Sequence, residues 1–76
     1  MKALIETIVS ALVDYPEEVI VTSKEESGRI VYILSVHKED MGKVIGKQGR
    51  VAKAIRTVVY AAGSSQQKKI YLEISE

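Results

Sequence analysis

The stretch Val44-Ile45-Gly46-Lys47-Gln48-Gly49-Arg50 sets two glycines three positions apart around a lysine and an amide, with an apolar pair in front. Its flanks carry helical patterns, so the chain must turn here within about four residues, and glycine tolerates the positive φ or tight geometry that such a turn demands. One glycine would be enough for the turn. The second clears a side chain from the other shoulder, so that a foreign backbone can approach closely and reach the amides and positive end of the following helix. Lys43, Lys47, Arg50 and Lys53 surround that anion site. Phosphate is the natural anion, and a row of phosphates fits better than a single one, which points to a nucleic-acid backbone. Two other glycine loops fail on their own terms. A P-loop needs Gly at position 41 and Ser or Thr after Gly46-Lys47, where the chain has Met41 and Gln48. A dinucleotide fingerprint needs a glycine at position 44, which is Val, and a strand before it, where the pattern is helical.

Charge is distributed to match. The 76 residues sum to only +1, yet residues 43–56 hold Lys43, Lys47, Arg50, Lys53 and Arg56 with no acid among them, so the run carries +5 and the remainder −4. This is a basic patch on a mildly acidic body. A face built for solubility usually interleaves signs, and this run does not. Arg56, further round the helix, reads equally as a ligand contact or as part of a solvated face.

Before the loop, Leu4, Ile5, Ile8, Val9 and Leu12 recur at helical spacing, and Asp14-Tyr15-Pro16 ends the run, predicting a helix over Lys2–Val13. Val19, Ile20 and Val21 predict a first strand over Glu17–Thr22, a polar turn over Ser23–Gly28, and a second strand over Arg29–Val36, together an antiparallel hairpin. His37–Ile45 predicts a short helix, with acids early and a lysine late. After the loop, Arg50–Ala62 predicts a longer one, with Val51, Ala54, Ile55, Val58, Val59 and Ala62 on its apolar side and Gly63-Ser64-Ser65 as its stop. Ile70, Leu72 and Ile74 alternate inward in a last strand over Lys69–Ser75, leaving Tyr71 and Glu73 on the open face. The order α-β-β-α-α-β predicts an α+β domain. Its three-stranded mixed sheet has order 1-2-3, the third strand parallel to the second by a right-handed crossover, and helices on one face.

A chain of 76 residues is one domain, and it buries only about 60% of its unfolded surface. There is no cysteine, hence no disulfide frame, thiolate nucleophile or thiolate metal site, and a reducing compartment, the cytoplasm, is the expectation. Glu6, Thr7 and Ser10 interrupt the apolar N-terminal stretch, which reads as an amphipathic helix and not as a signal peptide or membrane span. His37 is the only histidine and reads as a structural or surface residue at a strand end, so no metal ligand set is expected. The paired acids Glu17-Glu18, Glu25-Glu26 and Glu39-Asp40 read as turn and helix-start features. Tyr15 and Tyr60 read as packing residues. With no nucleophile–base pair, metal cluster or cofactor motif, neither an enzyme nor a cofactor is expected.

A Gly-x-x-Gly loop between two helices, preceded by Val-Ile and followed by a basic apolar helix within α-β-β-α-α-β, resembles the KH domain in its type II, bacterial arrangement. The segment VIGKQGRVAKAIRTVV, Val44–Val59, is close to that family's core signature, and the resemblance covers the whole chain. It implies about four nucleotides of single-stranded RNA, or of single-stranded DNA, with their backbone clamped by Gly46, Lys47, Gln48 and Gly49. The bases would turn toward an apolar floor from Ile45 and from Val36 or Leu34. Ala52 stands where the family often has a large aliphatic residue, which implies a shallower groove. The absence of Trp and Phe agrees with a binder that packs bases on aliphatics and not on a stacking platform. For the bacterial branch the resemblance further implies an RNA chaperone or post-transcriptional regulator with a link to cell shape and cell-wall biogenesis. It implies a homodimer, or a heterodimer with a second KH protein, and no membrane partner. The alternative is a KH-like module for protein–protein association whose RNA binding is weak or lost.

Overall fold

A computed structural model of the chain describes residues 1–63 and 69–75. Its elements are α1 (Lys2–Ser10), β1 (Ile20–Glu26), β2 (Arg29–Ser35), α2 (Met41–Ile45), α3 (Arg50–Ala62) and β3 (Lys69–Ser75), with 3-10 turns at Pro16–Glu18, Lys38–Asp40 and Lys47–Gly49. The sheet has order β1-β2-β3. β1 runs antiparallel to β2, pairing Val21 with Leu34, and β3 runs parallel to β2, pairing Tyr32 with Leu72. The α+β architecture is therefore the one the hydrophobic periodicities predict.

The core lies between the helices and one face of the sheet. Ile5 and Val9 of α1, Val44 of α2, and Ile55 and Val59 of α3 pack with Val21, Tyr32, Leu34, Val36 and Leu72. Alternation sets which strand residues take part, because successive side chains point to opposite faces. Val31, Ile33 and Tyr71 thus fall on the face without helices, where Tyr71 stays 39% exposed with the Arg29 guanidinium carbon 5.5 Å from its ring centre.

Several boundaries differ from the sequence expectation, each for a local reason. α1 stops at Ser10 and not at Val13, because the Leu12 amide turns back to the Val9 carbonyl at 2.9 Å. The amides of Asp14 and Tyr15 then bind the Asp40 carboxylate instead of a helix ladder. β1 starts at Ile20 and runs on to Glu26 through residues expected in the turn. The reversal is confined to Ser27 and Gly28, with φ of 44° and 82°, a primed two-residue turn whose twist suits a hairpin. Exposed edge strands need no apolar side chains, and here Lys24 and Arg29 flank Glu26 at 3.2 and 3.9 Å. β2 ends at Ser35, one residue early. The expected helix over His37–Ile45 divides into a 3-10 turn and the short α2. α3 has its expected bounds but a rotated interior: Ala52, Ile55 and Val59 are buried, whereas Ala54, Val58 and Ala62 are exposed. Its second apolar strip faces a groove toward α1. Gly63 ends α3, with an added Cβ falling 3.3 Å from Ile70 Cγ1. Ser64 and Ser65 of the expected stop lie outside the described residues.

Candidate nucleic-acid interface

The two glycines sit where α2 gives way to α3, and their backbones differ. Gly46 has φ 75° and ψ 176°, a region essentially reserved for glycine. A Cβ there would stand 2.8 Å from Val51 Cβ and 2.9 Å from the Val51 amide nitrogen, so Gly46 is also a point of close packing against α3. Gly49 has φ 74° and ψ 15°, the left-handed helical region, and space around it is open. Between them Gln48 also adopts a positive φ of 57°, unusual for a residue with a side chain. Its Oε1 accepts from Arg50 Nη2 at 3.5 Å, a long contact on the surface.

The loop's internal hydrogen bonds narrow the expected amide site. Gly49 N–H donates to Gly46 C=O at 3.2 Å, and Arg50 N–H donates to Lys47 C=O, because a 3-10 turn feeds directly into α3. No side chain caps α3. These bonds take up the Gly49 and Arg50 amides, and the exposed positive charge at the loop comes from side chains. Lys47, Arg50 and Lys53 are all exposed. Lys47 and Lys53 make no side-chain ion pair among the described residues.

Two other cations of the run are occupied. The Lys43 ammonium pairs with the Asp14 carboxylate, and that hydrogen bond raises its pKa above the ordinary lysine value. Lys43 thus ties the segment after α1 to α2 instead of presenting a free charge beside Lys47. Arg56 is part-buried and tethered, not a freely solvated face: its Nε donates to the Leu72 carbonyl of β3 at 3.2 Å. Ile45, 38% exposed at the entry to the loop, is open to a ligand. The other floor residues expected are not, since Leu34 is fully buried and Val36 is 4% exposed, both inside the core. Alternation along β2 sends Leu34 inward. Ala52, 5% exposed, is packed beneath α3.

Sequence reasoning missed the device that holds this end of the molecule. Asp40 is fully buried, and its two carboxylate oxygens accept from the amides of Asp14 and Tyr15 at 3.1 and 3.0 Å. His37 stands beside it after β2, its Nδ1 accepting from the Glu39 amide at 3.0 Å and its ring stacked on Tyr15 at 4.2 Å. Glu39 is the first cause of a raised pKa at the Tyr15 phenol. A His-x-Glu-Asp start to a helix is a capping signal, but nothing in the spacing announces a partner 25 residues away. Among the described residues no group of acids and histidine is arranged to hold a metal.

On the side of α3 that carries Arg50, Ile8 and Leu12 of the α1 region line, with Arg50, Val51, Ala54 and Val58, an open and largely apolar groove of about 320 Å³. Leu12 and Val58 remain 41% and 46% exposed there.

Similarity to known proteins adds to this geometry. A family model described as KhpA/KhpB, KH domain, matches residues 2–74. The chain is 62% identical to the RNA-binding protein KhpA of Oceanobacillus iheyensis over 74 residues, 97% of this chain and 99% of that one. It is 62% identical to the RNA-binding protein KhpA of Listeria monocytogenes over the full length of both. The KhpA of Bacillus subtilis is 54% identical over 97% of this chain and 91% of its own. Among solved structures, a point variant of Aquifex aeolicus Era bound to GDP and tetrafluoroaluminate aligns with a TM-score of 0.67 at 18% identity. It covers 96% of this chain and 28% of the Era chain, a likeness of fold alone.

Proposed function

The chain belongs to the KhpA/KhpB family of KH domains, and from that premise we propose that it binds single-stranded RNA through the Gly46–Gly49 loop. The observation that carries this reading is the loop itself: a glycine-only backbone at Gly46, an open shoulder at Gly49, and the exposed cations Lys47, Arg50 and Lys53 on and just after the turn. A phosphate backbone passing over the two glycines would lie within reach of all three, with Gln48 as a neutral donor and Ile45 beneath the first base. Lys43 stands at the edge of this site, its charge neutralised by Asp14 until a phosphate displaces that carboxylate. Single-stranded DNA offers the same phosphates, and the 2′-hydroxyl decides between the two. The role is that of a binder, an RNA chaperone or post-transcriptional regulator in the cytoplasm with consequences for cell shape and cell-wall biogenesis, and not that of an enzyme. The relatives' name, RNA-binding protein, agrees with it. Among the described residues no helix is long and apolar enough to cross a membrane.

A clamp on about four nucleotides binds weakly, and a second linked site multiplies affinity without any new contact. We propose the apolar groove of Ile8, Leu12, Ala54 and Val58 as the face on which a second KH chain sits, either another copy or a KhpB-like protein. The alternative, an association module with little RNA binding, would use the same face.

The test is fluorescence anisotropy of a labelled single-stranded RNA with wild type and with a Lys47→Asp, Gln48→Asp variant, circular dichroism confirming that both fold. Both side chains are exposed, so the variant should keep its fold and lose binding. Retention of binding at moderate salt would remove the loop from the site.

A further inference from the structure

Gly49, Lys53, Arg56 and Tyr60 follow one another at spacings of four, three and four residues, which places them on a single stripe down α3. Arg56 identifies what this stripe faces. Its Nε donates to the Leu72 carbonyl, and Leu72 lies in β3, an edge strand with β2 on one side only. The stripe therefore descends from the second glycine of the loop alongside the open edge of β3. Lys53 is exposed upon it, and Tyr60, 42% exposed, lies about one turn beyond Arg56.

The guanidinium of Arg56 is held in an unusual way. One nitrogen is bound to main chain while, among the described residues, Nη1 and Nη2 make no hydrogen bond. Fixing Nε removes much of the rotational freedom of a long side chain and leaves the terminal pair as a fixed two-donor fork. Arg56 lies about 10 Å along the helix from Gly49 at 1.5 Å per residue. That is one to two nucleotides from the clamp. The loop holds phosphates and carries no sequence information, whereas a fork at this distance meets a base.

We propose that Arg56 is the specificity-determining residue of the site, reading a base that presents two adjacent acceptors: guanine through O6 and N7, or cytosine through O2 and N3. Uracil separates its two acceptors with an N–H, and adenine offers single acceptors beside a donor, so neither satisfies both arms. This rests on the RNA-binding reading above, and deepens it from backbone clamping to base choice.

The experiment uses the intact chain and four labelled eight-nucleotide RNAs: oligouridine, and oligouridine carrying two guanines, two cytosines or two adenines. Wild type should bind the guanine or the cytosine RNA roughly 5- to 100-fold more tightly than the uridine and adenine RNAs. Arg56→Lys, which keeps the charge but not the fork, should compress the panel to within about twofold, the preferred RNA losing its advantage over oligouridine. On the ligand side, 7-deazaguanosine or 3-deazacytidine at the preferred base should erase the preference of unmodified wild type, a readout that does not depend on how the variant folds. A flat panel for wild type, or an Arg56→Lys loss equal for all four RNAs, would overturn the proposal and make Arg56 a phosphate contact or a structural tie. The Lys47→Asp, Gln48→Asp variant separates the two readings. If it abolishes binding to a flat panel, the clamp stands and base reading falls; if wild type binds none of the four, both fall.

Discussion

Among single residues, the two loop glycines look equivalent in sequence and are not equivalent in structure. Gly46 occupies backbone space closed to side chains and packs against Val51, whereas Gly49 is left-handed with open surroundings, a state that asparagine also tolerates. Gly49→Asn should cost less than about 1 kcal/mol, and Gly46→Asn should cost more than about 2 kcal/mol, because backbone strain and overlap with Val51 add. Urea denaturation of the two variants checks this; equal midpoints would show that the loop relaxes around Gly46. The loop, and Lys47, Arg50 and Lys53 beside it, were legible in the sequence because glycine spacing and local charge are properties of neighbours along the chain. The occupation of Lys43 and Arg56 was not, since Asp14 and Leu72 lie 29 and 16 positions away and only the fold brings them near.

Among the helices and strands, the short α2 could not stand alone and is anchored from below. A five-residue helix has little intrinsic stability. Asp40 holds its start by accepting from the Asp14 and Tyr15 amides, and Lys43 closes the same contact from the next turn. Asp40→Asn would set an amide donor against one of those amides and should destabilise on the order of 2 kcal/mol, a fall in Tm of roughly 8 to 16 °C. Thermal melts would reveal it; a shift below about 3 °C would mean that water replaces the carboxylate. Secondary structure was readable wherever one face of an element is apolar: α3, β2 and β3 keep their predicted bounds to within one residue. It was not readable where hydrogen bonding alone decides. β1 runs through Ser23–Glu26 on ladder bonds and surface ion pairs, and α1 ends early because Asp40 claims the following amides. The stripe on α3 misled in part because that helix has two apolar strips, one for the core and one for the groove toward α1.

For the protein taken entire, a net charge of +1 gives little long-range pull on nucleic acid, so the proposed binding would depend on three local cations. With Lys47, Arg50 and Lys53 as the phosphate contacts, the logarithm of the association constant should fall with the logarithm of salt concentration at a slope of about −2. That corresponds to a loss of roughly 20-fold between 50 and 200 mM salt. Anisotropy titrations at four salt concentrations test it, and a slope near about −3.5 would bring Lys43 and Arg56 back among the phosphate contacts. The parallel pairing of β3 with β2 has a consequence in time. Arg29 pairs with Lys69 and Leu34 with Ile74, so each β2 residue waits for a partner 40 positions later in synthesis. At typical elongation rates that wait is roughly 2 to 8 s. Until it ends, the hairpin and the glycine loop exist without the edge strand that seals the core and that Arg56 grips. A growing chain therefore completes its hairpin before its edge strand, and a chaperone or protease meeting it in that interval finds the side of β2 that β3 will later cover.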